Sequence, residues 1–335
     1  MNFLRNILII IVPFYWLITK MRNWLYDKSW LPSSSYDHPI ICVGNLSVGG
    51  TGKTPMIEYL IKLLKEQYQV ATLSRGYKRQ SAGFVLADEN ATVQSIGDEP
   101  YQIHAKFPSI QVAVDSNRRR GIQKLLNSTN RPEVILLDDA FQHRKVQAGL
   151  SILLTTHDRL YVNDFVLPTG DLREPRSGAK RADIVMVTKC PMDLSEVDKE
   201  KIRQRLKLGQ RQSLFFSSIK YDDKVYRGDG HSSTLEFFEA HPFCLVTGIA
   251  KPKPIIDHLR KNNLQFEHES FPDHHQFTER EIKRLRTKEL ILTTEKDYTR
   301  LKDHLDPTKL YYLPIETYVS NLEAFREIVL EFMTR

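Results

Sequence analysis

Residues 39–55 read PIICVGNLSVGGTGKTP, and the fold turns on that stretch. Pro39 to Val43 is a short apolar run of strand-forming residues. Gly49, Gly50 and Gly52 then let the backbone curl so that its N–H groups converge on an anion. From Lys53 onward, Met56, Leu60, Leu63 and Leu64 share one face of a helix running to about Glu66, and a second strand-like run, Val70 to Leu73, follows. Strand, glycine loop, helix, strand is the setting in which such a loop holds phosphate, because the helix N-terminus adds its partial positive charge. Lys53 would reach the β and γ phosphates of a nucleoside triphosphate, and the Thr54 hydroxyl would ligate Mg²⁺. The expected nucleotide contacts are Ser47, Val48, Gly49, Gly50, Thr51, Gly52, Lys53 and Thr54, with Ser47 where the common pattern has glycine. The loop alone does not distinguish hydrolysis from phosphoryl transfer.

Working outward, Val134 to Leu137 reads as a buried strand ending in Asp138-Asp139, with Gln142 and His143 just beyond. Carboxylates at the C-terminal end of a parallel strand point into the ligand crevice. Adjacent ones alternate across the strand, so one is assigned to Mg²⁺, directly or through water, and the other to the reacting groups. Gly97-Asp98-Glu99-Pro100 is a second acidic pair. Acids followed by proline suit the first turn of a helix, and a carboxylate near an attacking hydroxyl also suits phosphoryl transfer. Three basic clusters complete this half: Arg75 to Arg79, Arg118 to Arg120, and Arg173 to Arg181. Together they point to several phosphates or an anionic acceptor.

The chain has 335 residues, which fits two domains, and its 41% hydrophobic and 27% charged composition excludes disorder and a polytopic membrane protein. Cys42, Cys190 and Cys244 sit far apart, with no paired spacing that suggests zinc or a disulfide framework, and suit a reduced compartment. The net charge of +7 asks for an anionic partner without naming it. Near the N-terminus, Ile7 to Ile18 reads ILIIIVPFYWLI. As a helix it would be about 18 Å long against a hydrocarbon core of about 30 Å, so it cannot span a bilayer, and Pro13 is expected to kink it. Arg5, Lys20, Arg22 and Lys28, interleaved with Tyr15, Trp16, Trp24, Tyr26 and Trp30, suit a headgroup boundary. No small-residue cleavage site follows, which argues against a secretory signal; a helix buried against the body is the competing reading.

The assembled motifs resemble the tetraacyldisaccharide 4′-kinases of lipid A biosynthesis. The resemblance rests on GNLSVGGTGKTP (Gly44–Pro55), SRGY (Ser74–Tyr77), GDEP (Gly97–Pro100), DDAFQH (Asp138–His143) and LPTGDLREP (Leu167–Pro175). It continues through VTGIAKP (Val246–Pro252), FPDHHQF (Phe271–Phe277) and TTEKD (Thr293–Asp297), in order, over roughly residues 40 to 300. Ala140 stands where the family usually has glycine. The resemblance implies an ATP-dependent kinase acting on the 4′-hydroxyl of a tetraacylated glucosamine disaccharide 1-phosphate, giving the 1,4′-bisphosphate. It also implies a place on the cytoplasmic face of the bacterial inner membrane, held by the N-terminal segment. By the same resemblance Asp98 is the catalytic base, His274 supports it by hydrogen bonding, and Lys53, Asp139 and Arg173 act on the reacting groups. Thr54, Asp138, Glu99 and Gln142 surround the metal, with the order of Asp138 and Asp139 and the choice between His274 and His275 left open. Asn45, Tyr77, Arg118 and Glu174 fall at substrate positions, and Arg118 and Arg173 are expected to meet phosphates.

Strand-like runs at Ile40, Val70, Val112, Val134, Ser151, Ile184 and Leu214 alternate with helical stretches. The expected fold is therefore α/β: a mostly parallel sheet of phosphate-loop type with helices on both faces, a smaller second α/β domain, and an N-terminal membrane-associated helix. The expected division is residues 1–30 for that helix, 31–217 for the kinase domain, 218–235 for a linker, 236–320 for the smaller domain and 321–335 for a last helix. Closure of the smaller domain over the substrate is expected of such a layout. The main alternative, a membrane-associated regulatory ATPase or GTPase, lacks the Asn-Lys-x-Asp that reads guanine: the comparable place is Thr188-Lys189-Cys190-Pro191-Met192-Asp193. No aromatic-interleaved basic motif supports nucleic acid, and no protein partner is indicated.

Overall fold

A computed structural model describes residues 11–273 and 275–334. The expectations for His274 and for the first part of the apolar run, Ile7 to Ile10, fall outside the described residues. The first sheet gathers β1 (Ile40–Asn45), β2 (Val70–Ser74), β3 (Val85–Leu86), β4 (Gln111–Val114), β5 (Val134–Asp138), β6 (Leu150–Thr156), β7 (Ile184–Thr188) and β8 (Ser213–Tyr221). A second sheet holds β9 (Lys224–Tyr226), β10 (Ser232–Thr234), β11 (Cys244–Thr247), β12 (Glu267–Ser270), β13 (Ile291–Thr294) and β14 (Leu310–Leu313). The chain then returns: β15 (Ile315–Val319) pairs antiparallel with β8 at the edge of the first sheet.

The first sheet runs β15-β8-β7-β6-β1-β5-β2-β4-β3, and the second runs β10-β9-β14-β13-β11-β12. All seven strands expected from the apolar runs lie parallel, with β1 between β5 and β6. Strand β1 is buried along its whole length, and its side chains alternate between two cores. Ile40 and Cys42 join one face with Leu73, Ile122 and Ile202; Ile41 and Val43 join the other with Met56, Leu60, Ile103 and Phe325. A strand buried on both faces has no polar side to show, which is why it reads as a continuous apolar run. The stretch 218–235 is not all loop: its first residues extend β8, and two short strands, β9 and β10, form a hairpin on the edge of the second sheet.

The helices are α1 (Val12–Asp27), α2 (Lys53–Leu64), α3 (Val93–Ile96), α4 (Asp98–Lys106), α5 (Arg118–Leu126) and α6 (Glu196–Leu206). They continue as α7 (Lys253–Lys261), α8 (Glu279–Arg286), α9 (Glu295–Leu301) and α10 (Leu322–Met333). Pro13 stands in the first turn of α1, a position proline suits, and the part of the apolar run before Ile11 that a kink would involve lies outside the described residues. Among the described residues no helix is long and apolar enough to cross a membrane. The unusual feature of α1 is which side faces out: Phe14, Leu17, Ile18 and Met21 are more than half exposed, whereas Thr19 and Asn23 are buried.

Helix α10 packs back on the first sheet. Phe325 is fully buried and meets Tyr59 of α2 and Phe215 of β8 edge-on at centroid distances of 5.7 and 5.2 Å. Truncating it removes a large buried ring that locks the returning chain to both elements. Phe325→Ala is expected to lower the unfolding free energy by about 3–5 kcal/mol, read from denaturant titration. A loss under about 1 kcal/mol would mean that α10 does not belong to the core.

Candidate active site

The loop between β1 and α2 sits at the C-terminal end of the central strand, where an open parallel sheet offers its crevice. Gly52 opens α2 with φ 90°, a conformation in which a side chain would be strained, so the turn into the helix depends on glycine there. Three neighbours brace the loop, and none was legible in the sequence. Thr188 at the end of β7 donates its hydroxyl to the Thr51 carbonyl at 2.7 Å. The Lys189 ammonium donates to the Gly50 carbonyl, also at 2.7 Å. The segment 171–173 runs alongside, with Val48 N–H donating to the Asp171 carbonyl at 2.8 Å and Arg173 N–H to the Leu46 carbonyl at 2.7 Å.

Lys53 and Arg173 converge on one acid. Lys53 Nζ lies 3.7 Å from Asp139 Oδ1, and Arg173 Nη1 donates to both Asp139 oxygens at 2.9 and 3.0 Å. Asp139 follows β5 with φ 48°, a left-handed conformation that aspartate tolerates better than most residues and that turns its side chain away from the direction of Asp138. The two acids have opposite electrostatics. Burial pushes the Asp138 carboxyl up to about 7, with Glu99 and Asp139 adding repulsion that Lys53 and Arg118 offset in part. Burial acts in the same direction on Asp139, but Lys53 and Arg173 outweigh it and hold that carboxyl below its usual range.

Other expected site residues serve as supports. Asn45, fully buried at the end of β1, donates its amide to Thr51 Oγ1 at 2.7 Å. Gln142 donates to the Asn45 carbonyl at 2.7 Å and to Glu174 Oε1 at 3.0 Å. Glu174 is 2% exposed and also accepts from Arg181 at 2.8 Å and from Asn23 of α1 at 2.6 Å. Its carboxylate is thus occupied by protein donors rather than turned to a substrate. Arg118 also departs from the expected phosphate contact. It is 3% exposed, with its guanidinium donating to the backbone carbonyls of Asp115 and Asp138 at 2.7 and 3.3 Å. As the first residue of α5 it turns inward, where its guanidinium helps satisfy strand-end carbonyls.

The GDEP segment starts α4 with both acids in the first turn. Gly97 has φ 93°, and a Cβ there would stand 3.0 Å from the Tyr77 carbonyl, so glycine lets the SRGY loop close on the helix start. Tyr77 itself is 64% exposed. Asp98 Oδ2 accepts from Arg300 Nε at 3.1 Å and also from Nη2, an ion pair from the second sheet's side of the molecule. His275 is paired with Glu281 at 2.9 Å and stacked on Phe271, which makes it part of the α8 start.

Residues 4–334 match the family model described as tetraacyldisaccharide-1-P 4′-kinase. The chain belongs to the tetraacyldisaccharide-1-P 4′-kinase family. A relative named tetraacyldisaccharide 4′-kinase from Flavobacterium johnsoniae is 53% identical over 99% of this chain and 98% of its own length. Another of that name, from Bacteroides thetaiotaomicron, is 49% identical over 90% of this chain and 86% of its own. The crystal structure of the "apo" form of LpxK from Aquifex aeolicus in complex with ATP superimposes with a TM-score of 0.81 at 29% identity, covering 98% of this chain and 99% of that one. The kinase family and the α/β fold expected from the motifs are therefore established.

The raised Asp138 carboxyl makes a pH prediction for the metal-free protein. A folded-state pKa above the unfolded value of about 3.9 means that stability from this site is present below that value and lost as pH rises through about 7. Asp138→Asn, which cannot ionise, should exceed the parent in stability by about 2–4 kcal/mol above pH 7, and the gap should close toward pH 3. Calorimetric melting in EDTA across that range checks it; a gap independent of pH would show that Asp138 is not raised.

Proposed function

We propose that this protein transfers the γ-phosphoryl group of ATP to the 4′-hydroxyl of a tetraacylated glucosamine disaccharide 1-phosphate, the lipid A precursor, giving the 1,4′-bisphosphate. The observation that carries the reading is Lys53 and Arg173 meeting on Asp139 at the mouth of a glycine loop, in a chain 53% identical to a 4′-kinase along its length. In this reading the 4′-hydroxyl oxygen attacks the γ-phosphorus, the bond to the β,γ-bridging oxygen breaks, and ADP leaves. The hydroxyl proton passes to Asp98, which His274 is proposed to support. Within Ser47 to Thr54, backbone N–H groups from Gly49 onward cradle the phosphates, the Val48 N–H being taken by the Asp171 carbonyl. Lys53 and Arg173 set two cations where negative charge collects on the transferring group. The nine-stranded unit carries the nucleotide, and we assign the six-stranded unit to closing over it.

The donors present fit magnesium. Asp138 Oδ1 and Asn45 Oδ1 are buried oxygens without a hydrogen-bond partner among the described residues, and hard oxygen donors suit a hard cation. Among the described residues no three His, Cys, Asp or Glu side chains gather closely enough to cage a metal. That agrees with an ion held by one or two carboxylates, water and phosphate. Asp138, Thr54 and Glu99 would hold it, with Gln142 fixing the floor of the site rather than ligating. When bound, the ion would neutralise charge on the phosphates.

The exposed apolar side of α1 supports attachment to a membrane surface. Phe14, Leu17, Ile18 and Met21 project outward, flanked by Lys20, whose ammonium lies 4.3 Å from the Trp16 ring centre. Such a helix lies in the interface with its rings and cations at headgroup level. An ATP-using kinase with this anchor belongs on the cytoplasmic face of the inner membrane, where nucleotide is supplied.

Two measurements test this function. Incubation with ATP, Mg²⁺ and the tetraacylated disaccharide 1-phosphate, followed by mass analysis, should show one added phosphate. Asp98→Ala should lower kcat by about 10³-fold while leaving the KM for ATP within about twofold, because a base acts on the acceptor. An equal loss of ATP affinity would sink the assignment. For the membrane, replacing Phe14, Leu17 and Ile18 by serine should weaken co-sedimentation with anionic vesicles by about tenfold or more, with binding of an ATP analogue unchanged. Undiminished sedimentation would refute the anchor.

A further inference from the structure

Helix α9 carries Lys296 and Arg300, four residues apart and therefore on one face of the helix. Lys296 Nζ reaches Asp273 Oδ1 at 3.1 Å, and Asp273 immediately precedes His274. Arg300 reaches Asp98, with Nε and Nη2 both donating to Oδ2. The third Arg300 contact runs backward: Nη1 donates to Asp297 Oδ1 at 3.1 Å. Asp297 is itself fixed. It is fully buried, and its other oxygen accepts from Gly248 N–H and from the Thr294 hydroxyl, each at 2.8 Å. Only 7% of the Arg300 side chain is exposed.

A planar guanidinium gripped at one end by a buried carboxylate has little freedom left at the other. An ammonium in its place would be a point charge on a flexible stem, able to pair with Asp98 but not to set its direction. The helix that bears Asp98 is bound to α9 along its length as well. Lys106 Nζ meets Glu295 Oε1 at 2.6 Å, and Lys302 Nζ donates to the Tyr101 hydroxyl at 2.7 Å.

We propose that Arg300 is a positioning residue for phosphoryl transfer: anchored on Asp297, it fixes the direction of the Asp98 carboxylate, so that the base is supplied by the first sheet's side and aimed by the second's. This rests on the reading of Asp98 as the base. Lys296, on the same face, pairs with Asp273.

A double-mutant cycle on the full chain tests it, with the tetraacylated disaccharide 1-phosphate and ATP as substrates and melting temperature and ATP-analogue binding as fold controls. Arg300→Met should lower kcat by about 10- to 100-fold, as loss of orientation does, with the KM for ATP within about twofold. Arg300→Lys should recover part of that loss. In the Asp98→Ala background, Arg300→Met should change the residual kcat by less than about twofold, because a residue acting through Asp98 has nothing left to aim. An equal fall in both backgrounds, or parental kcat in Arg300→Met, would overturn the proposal. If Arg300→Met does not fold, Arg300→Lys takes its place in the cycle: a loss confined to the Asp98 parent supports the role, and an equal loss or none overturns it. Failure of the base reading shows separately, as Asp98→Ala retaining parental kcat.

Discussion

Three helices meet on one half-buried lysine. Lys106, at the end of the helix that opens with Asp98, donates to Glu58 of the phosphate-loop helix at 2.8 Å and to Glu295 of α9 at 2.6 Å. Burial raises the Glu58 carboxyl, Lys106 opposes the rise, and Glu295 adds to it. Glu58 is buried, and the shared cation offsets the cost of keeping its carboxylate there. Such a partly buried ionic trio adds little net stability, because desolvation cancels much of the attraction. What it supplies is register. The phosphate-loop helix, the helix of the proposed base and the helix of the second sheet meet where one ammonium reaches both carboxylates. The distances within the site descend from that junction.

Much of the fold was legible because the buried strands carry their own signature. Runs such as Val134 to Leu137 are apolar on both faces, and the seven parallel strands follow from them and from the helices between. The glycine loop was legible for a different reason: its residue types are imposed by backbone conformation and by charge, both local. What was hidden depends on partners distant in sequence. Strand β15 looks like an ordinary edge segment, yet it crosses back to β8, which begins more than ninety residues earlier. Strands β3, β9 and β10 are too short to show a period. Arg118 and Glu174 are charged residues within motifs, which argues for ligand contact, but their burial is decided by Asp138, Asn23 and Arg181. Arg300 reads as one cation among many on a polar helix until the fold sets Asp98 against it.

Helix α1 shows how far one surface element can reach into the site. Val12 and Tyr15 pack against the core, but Phe14, Leu17, Ile18 and Met21 face outward, so polar contacts carry much of its attachment to the body. Those contacts fall on the catalytic segments: Tyr15 donates to the Arg173 carbonyl at 2.8 Å, Asn23 to Glu174 at 2.6 Å, and Arg22 to the Gln142 carbonyl at 2.6 Å. Glu174 and Gln142 in turn hold each other and the Asn45 carbonyl, and the Asn45 amide holds Thr51 of the phosphate loop. A continuous run of hydrogen bonds therefore joins the proposed membrane surface to the nucleotide loop. With α1 as the proposed anchor, a lipid substrate would keep its acyl chains in the bilayer while its sugar enters the crevice, so the depth of the anchor and the height of the site would have to agree. Bonding the anchor directly to the loop that carries Arg173 meets that requirement, because neither can shift without the other. The same bonding gives the inward polar atoms of α1 a role: apolar packing of Val12 and Tyr15 holds the helix, and directional hydrogen bonds fix its distance from the candidate site.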